Sequence, residues 1–190
     1  GVTSPKLKEL DRVLRTFAVN KKAAEGLTKE LISNFKDMKY DEVEKISGKL
    51  LRIFPHHSLS LKILGAVYEN SNRLNDALRI HERLVNAHPL DPEANNNLGS
   101  TLKKLKKFED AKKFYEKAIA LKPDYYQAIY NMGMIYSAES DYSSGLFYFR
   151  KLEGLNHDIR DIDLIISMLE SRNKRGQGTV SSENVNRISN

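Results

Sequence analysis

Apolar residues along this chain recur three and four positions apart, the spacing of one helical face, and the stripes are separated by short polar turns. Residues 4 to 18 open the pattern: Ser4 stands as an N-cap, Pro5 takes the first helical position, and Leu7, Leu10, Leu14 and Phe17 line one side. A second helical run covers residues 24 to 35, and no strong breaker separates the two, since a Gly such as Gly26 costs a helix interior only about 1 kcal/mol. The pattern leaves open whether these are two helices or one. From there onward it repeats: Tyr40, Leu74, Phe108 and Tyr142 are apolar residues placed 34 apart, each at the start of a helical run.

Other columns keep the same register. Pro55, Pro89 and Pro123 are also 34 residues apart and close successive units. A position inside the first helix of each unit holds Leu31, Gly65, Gly99 and Gly133, and its counterpart on the second helix holds Val43, Ala77, Ala111 and Gly145. Small residues at both places predict a close antiparallel approach, because neither helix carries bulk beyond Cβ there. Larger residues such as Leu84, Tyr115, Phe149 and Leu152 then fill the space toward the next pair. Asp91 before Pro92 predicts a capped helix start, and Ser58 and Asp124 predict comparable entries. Polar turns follow at residues 70 to 73, 106 to 107 and 140 to 141.

The organisation expected is therefore an N-terminal amphipathic helix at 1–23, then an array at 24–159 made of units 24–57, 58–91, 92–125 and 126–159. The first unit is degenerate, because Leu31 and Val43 are too large for close helix contact, which predicts a splayed or capping pair. The fourth has His157 where the closing proline should be, so its exit should differ. Asp158 stands as the cap of a further helix with Ile159, Ile162, Ile165, Ile166 and Leu169 on one side. At 160–171 this helix is expected to cover the exposed apolar face of the last pair, as terminal repeats must. Residues 172–190, rich in Ser, Asn, Gly and charge, are expected to form a polar tail.

The best-kept unit carries Asn95, Leu98, Gly99, Leu102, Ala111, Tyr115 and Pro123 at the spacing of the tetratricopeptide repeat signature, with Asn95 and Leu102 replacing the usual Trp and Tyr. The chain thus resembles the tetratricopeptide repeat family. That resemblance implies an all-α, right-handed superhelical α-solenoid of antiparallel helix pairs, a non-catalytic scaffold for protein–protein interaction. It also implies an extended peptide or protein segment bound on a concave face lined by the first helices. The inward positions would be Lys62, Ile63, Ala66 and Glu69, then Asn96, Asn97, Ser100 and Lys103, then Tyr130, Asn131, Met134 and Ser137. The peptide-binding set expected is Lys62, Asn96, Asn97, Lys103, Tyr130, Asn131 and Met134 from these positions, with Lys104 beside them. Asn97 and Asn131, one repeat apart, are similar to two rungs of the asparagine ladder in the O-linked N-acetylglucosamine transferase array, whereas Lys29 and Ile63 break the ladder earlier. Lys62 and Asn97 also match two positions of the carboxylate clamp that holds chaperone C-termini, but Ala66, Gln127 and Asn131 depart from the other three. Residues 27 to 152 further resemble the N-terminal arrays of bacterial glycosyltransferases and sulfotransferases. This makes a substrate-recruiting region of a larger transferase one alternative. Self-association through the end helices, residues 4 to 18 and 158 to 170, is another.

Composition narrows the chemistry. The 190 residues are 40% hydrophobic and 29% charged, with 31 basic against 25 acidic residues and a formal charge of +6. This is a mild bias toward acidic partners. No Cys is present, so thiolate metal sites and disulfides are excluded, and a cytoplasmic setting is compatible with that. No apolar run approaches the length of a membrane span. Gly48 and Lys49 lack the spaced Gly of a phosphate loop, and no G-x-S-x-G elbow occurs. His56, His57 and His88 flank closing prolines, His81 shares a packing column with Tyr115 and Phe149, and none forms the i, i+4 pair of a helical zinc site. Catalytic residues, cofactors and metals are accordingly not expected, nor is nucleic acid. The unit 92–125 concentrates lysines 103, 104, 106, 107, 112, 113, 117 and 122 against five acids, either a basic rim for an acidic peptide or a solvated helix face.

Overall fold

Helix starts and turns recur in the fold at the register read from the sequence. The computed structural model describes residues 5–155 and 161–188, and among these the chain is helical throughout, without strands. Nine helices follow in order: α1 Pro5–Lys36, α2 Tyr40–Ile53, α3 Ser58–Asn70, α4 Leu74–Ala87, α5 Pro92–Lys104, α6 Phe108–Leu121, α7 Tyr126–Ala138, α8 Tyr142–Gly154 and α9 Ile162–Ile188. They fall into two units, residues 1–88 and 89–190. Ser4, His157, Asp158 and Ile159 lie outside the described residues, as do the side chains of Leu7, Leu10 and Phe17.

In the first unit α1 packs on α2 and α3 on α4, with α2 and α3 joining the pairs. Its core gathers Leu31, Val43, Ile46, Leu50, Ile63 and Val67. The runs 4–18 and 24–35 belong to one unbroken helix, so the boundary expected at 23/24 falls inside α1. Leu14, placed on the apolar stripe, is exposed together with Val13 and Val19. The start of α3 is capped not by Ser58, which is already helical, but by His57, whose Nδ1 accepts from the Ser60 backbone N–H at 3.3 Å.

In the second unit α5 pairs with α6 and α7 with α8, and α9 covers α8. Asp91 caps α5 as expected, accepting from the Glu93 N–H at 2.9 Å with Pro92 next in line. Asp124 does not cap α7: the cap position is Tyr125, which makes no side-chain cap bond. Ile162, Ile165, Ile166 and Leu169 pack on Phe149, Leu152 and Ile129, so α9 does cover the last pair. Beyond Ser171, however, the helix runs on to Ile188, where composition suggested an irregular polar tail. A packed first segment supplies the costly helical nucleus, no proline follows Pro123 to stop propagation, and the helix continues past its apolar contacts.

The turn inside each pair uses one left-handed residue: Met38, Asn72, Lys106 and Ser140 have φ of 56, 56, 59 and 65°. They recur at the 34-residue spacing. The glycine column has a different role from the one expected. A Cβ built on Gly65, Gly99 or Gly133 would fall within 3 Å of the His81, Tyr115 or Phe149 ring, respectively, each 16 residues later. The missing side chain therefore seats a ring from the second helix, in addition to letting backbones approach. In the first pair the same columns hold Leu31 and Ser47, both fully buried, so bulk and space have changed places.

Candidate functional site

Three residues of the expected peptide-binding set meet in the second unit. Lys103, in the last turn of α5, donates from Nζ to Asn131 Oδ1 on α7 at 2.5 Å. Asn131 Nδ2 in turn donates to Asn96 Oδ1 on α5 at 3.4 Å. Both helices are held in register for this by their buried sides: Leu98, Gly99 and Leu102 on α5, Ala128, Ile129 and Met132 on α7. Because residues 96 and 103 are seven apart, two helical turns, they project from one face of α5 and bracket Asn131.

The remaining residues of that set occupy different settings. Asn97 is half-buried one position from Asn96, and its carbonyl oxygen accepts from Thr101 Oγ1 at 3.3 Å. Lys104 is exposed beside Lys103, where positive charge complements the carbonyl end of α5. Tyr130 is half-buried, its ring edge-on to Phe149 with centroids 5.6 Å apart, so much of it belongs to the core. Met134 is exposed. Asn96 retains only 8% of its surface and acts as an inner support for Asn131. Lys62 is half-buried on α3, in the first unit.

Tyr126, Gln127, Tyr130 and Asn131 line a depression of about 280 Å³ on α7. Gln127 Oε1 is buried there without a hydrogen-bond partner among the described residues. Sequence reasoning named Gln127 only as a departure from the carboxylate clamp. Its orphaned acceptor depends on the rotamer and on neighbours from other helices, which no local pattern encodes.

Asn95 has a structural role instead. It is fully buried, and its Nδ2 donates to the carbonyls of Pro89 at 3.2 Å and Asp91 at 2.8 Å, tying down the entry to α5. His81 is a core residue packed on Gly65, with Glu69 Oε1 3.7 Å from its Nδ1. The lysine-rich unit is partly neutralised. Lys112, 13% exposed, bonds Glu109 at 2.8 Å and Glu139 at 2.6 Å, and Lys113 bonds Asp110 at 3.0 Å. Burial pulls the Lys112 pKa down, but those two carboxylates outweigh it and hold the ammonium well above the ordinary lysine range. Among the described residues no group of three or more His, Asp or Glu could hold a metal, and no helix is long and apolar enough to cross a membrane.

Comparison with known proteins agrees with the geometry. The tetratricopeptide repeat model matches residues 92–125, the same span that the columns assign to the third unit. The BBSome complex member BBS4 homolog of Drosophila melanogaster is 26% identical over 135 residues, covering 69% of this chain and 28% of that protein. Protein O-mannosyl-transferase TMTC1 of Mus musculus is 26% identical over 140 residues, 72% of this chain and 15% of that protein. The chain thus spans less than a third of either curated relative. Among solved structures, the MamA protein superimposes with a TM-score of 0.73 at 19% identity, over 85% of this chain and 88% of that one. The first tetratricopeptide domain of Spaghetti (RPAP3), bound to the HSP90 peptide SRMEEVD, gives 0.57 at 21% identity over 60% and 90%. Both likenesses are likenesses of fold.

Proposed function

Because the chain belongs to the tetratricopeptide repeat proteins, we propose that it is a non-catalytic scaffold that takes an extended peptide or protein segment along the face shared by α5 and α7. The observation that carries this reading is the Lys103–Asn131–Asn96 chain of side-chain hydrogen bonds. An amide offers two donors and two acceptor lone pairs, and these bonds use one of each on Asn131. One hydrogen and one lone pair are left for the backbone of a strand-like segment, whatever its sequence. The bonds already formed hold the amide in place, so less side-chain entropy is lost on binding. The adjoining hollow, about 280 Å³, has room for one large side chain beside Gln127. Lys103 and Lys104 favour an acidic segment. The peptide bound by the Spaghetti domain is itself acidic in part, which supports the same reading.

The test is direct. Peptides selected against the full chain from an arrayed library should lose about tenfold or more in affinity on the double change Asn97→Ala with Asn131→Ala, since each amide pair is worth about 0.5–1.5 kcal/mol. Unchanged affinity in a variant with wild-type far-UV circular dichroism would defeat the proposal. A second reading, recruitment of substrate to a transferase, draws on the likeness to the O-mannosyl-transferase. A gene whose reading frame carries no catalytic domain would remove it.

A further inference from the structure

The second helices of the first three pairs share a device in their opening turn. Glu42 with Lys45, Asp76 with Arg79 and Asp110 with Lys113 stand three residues apart, and each couple forms an ion pair, at 2.7 Å in the first and 3.0 Å in the third. The 34-residue spacing carries this couple to Ser144 and Phe147, where both charges are gone. The cations sit there because the position faces water: their side chains are 67%, 77% and 71% exposed. Phe147 is 64% exposed in the same column. A neighbouring column changes as well, from Glu82 and Glu116 to Arg150. Three positions of α8, half-buried Ser144 and exposed Phe147 and Arg150, thus depart from the preceding repeats together, losing carboxylates and gaining an aromatic ring and a cation.

Two of these departures, Phe147 and Arg150, line one hollow. α8 and the middle of α9 enclose about 890 Å³, with Phe147 at its edge and Arg150, Lys151, Asn173 and Lys174 around it. Among the described residues Glu170 is the only carboxylate in the lining, and it already bonds Arg150 at 2.6 Å. Ser143 Oγ donates to Asn173 Oδ1 at 3.2 Å, fixing the polar rim. Lys151 and Lys174 have no ion-pair partner among the described residues. The lining is therefore net positive around an exposed ring, with two ammonium groups uncommitted.

We propose that this face of α8 and α9 is a second docking surface, for an acidic peptide segment that carries one apolar anchor residue. Phe147 and the Leu146 floor take the anchor, and carboxylates on either side of it reach Lys151 and Lys174. Charge complementarity selects this occupant: a second copy of the chain carries +6 overall and would bring like charge to a positive hollow. The surface shares no residue with the α5 and α7 face, so the two sites can be told apart by mutation.

The experiment uses fluorescence anisotropy on the full chain, with labelled members of a library of acidic peptides each holding one Phe, Leu or Trp. Ser144→Asp with Phe147→Lys restores the ion pair of the other repeats, and Lys151→Glu with Lys174→Glu reverses the charge. Each double variant should lower affinity by about tenfold or more, a change of about 1.4 kcal/mol. Raising the salt should weaken wild-type binding, and replacing the apolar residue of the peptide by Ala should abolish it. Library members that lose affinity on Asn97→Ala with Asn131→Ala belong to the α5 and α7 face and are set aside before the surface variants are compared. The proposal is overturned if no library member binds or if affinity survives both surface variants. It is equally overturned if a single-stranded oligonucleotide competes better than the peptide, or if the chain sediments as a dimer that Phe147→Lys dissociates.

Discussion

Tyr115 occupies the space that a side chain on Gly99 would need, and this permits a quantitative test of how the helix pairs are packed. An ideal Cβ on Gly99 falls 2.7 Å from Tyr115 Cε1 and 2.9 Å from Cδ1, inside the roughly 3.5–4.0 Å of a favourable carbon contact. The ring is fully buried. Gly99→Leu should therefore cost about 1–3 kcal/mol from overpacking, after about 1 kcal/mol is regained by removing a helical glycine. Tyr115→Ser should cost about 3–5 kcal/mol through the cavity it leaves. The first pair shows the opposite arrangement, Leu31 with Ser47, buried in the same columns. Combining Gly99→Leu with Tyr115→Ser transplants that arrangement into the third repeat. The double variant should be more stable than the sum of the single losses by about 0.5–3 kcal/mol, the range seen for side chains in contact. Urea unfolding followed by far-UV circular dichroism on wild type, both single variants and the double variant gives the coupling energy. Losses that add to within about 0.5 kcal/mol would refute the idea that the two columns exchange volume.

Two further tests address the helix ends. Burial holds the His57 imidazole below its ordinary 6.5, and the neutral ring is what accepts from Ser60 N–H. The unfolded chain takes up the proton first, so this contribution is complete above about pH 6.5 and is lost as pH falls through the depressed folded value. The thermal midpoint should drop further between pH 7 and pH 5 in wild type than in His57→Asn, whose amide oxygen caps without titrating. Parallel pH profiles would argue against His57 as the titrating cap. At the other end of a helix pair, Lys106 has φ of 59°, which glycine adopts without penalty, so Lys106→Gly should raise stability by about 0.5–1 kcal/mol. A lowered urea midpoint would show that the lysine side chain contributes more than the backbone strain it carries.

Much of the fold was legible because a helix-pair repeat writes its rules in one dimension. Apolar spacing set the helices, and the columns at Pro55, Pro89 and Pro123 set the unit boundaries. The family match to residues 92–125 falls on one of those units. Of the candidate surface, the residue types and the helices that carry them were readable. That Asn131 binds Lys103 and Asn96 was not, because such bonds depend on how two helices are rotated against each other. Nor was the cap of α3 readable, which falls on His57 because Ser58 is already helical. Nor was the neutralisation of Lys112, a rim lysine by composition, by the carboxylate of Glu139 just past the end of α7.

The sequence by itself determined where helices begin, turn and pair, since those features rest on neighbours three, four and 34 positions away. The tertiary structure alone decided what fills the glycine column, which lysines stay uncommitted, and that α1 and α9 each run on as one long helix. These are matters of volume, charge and cooperativity between segments remote in sequence. A ring 16 residues distant can seat on Gly99 only once both helices have closed on each other.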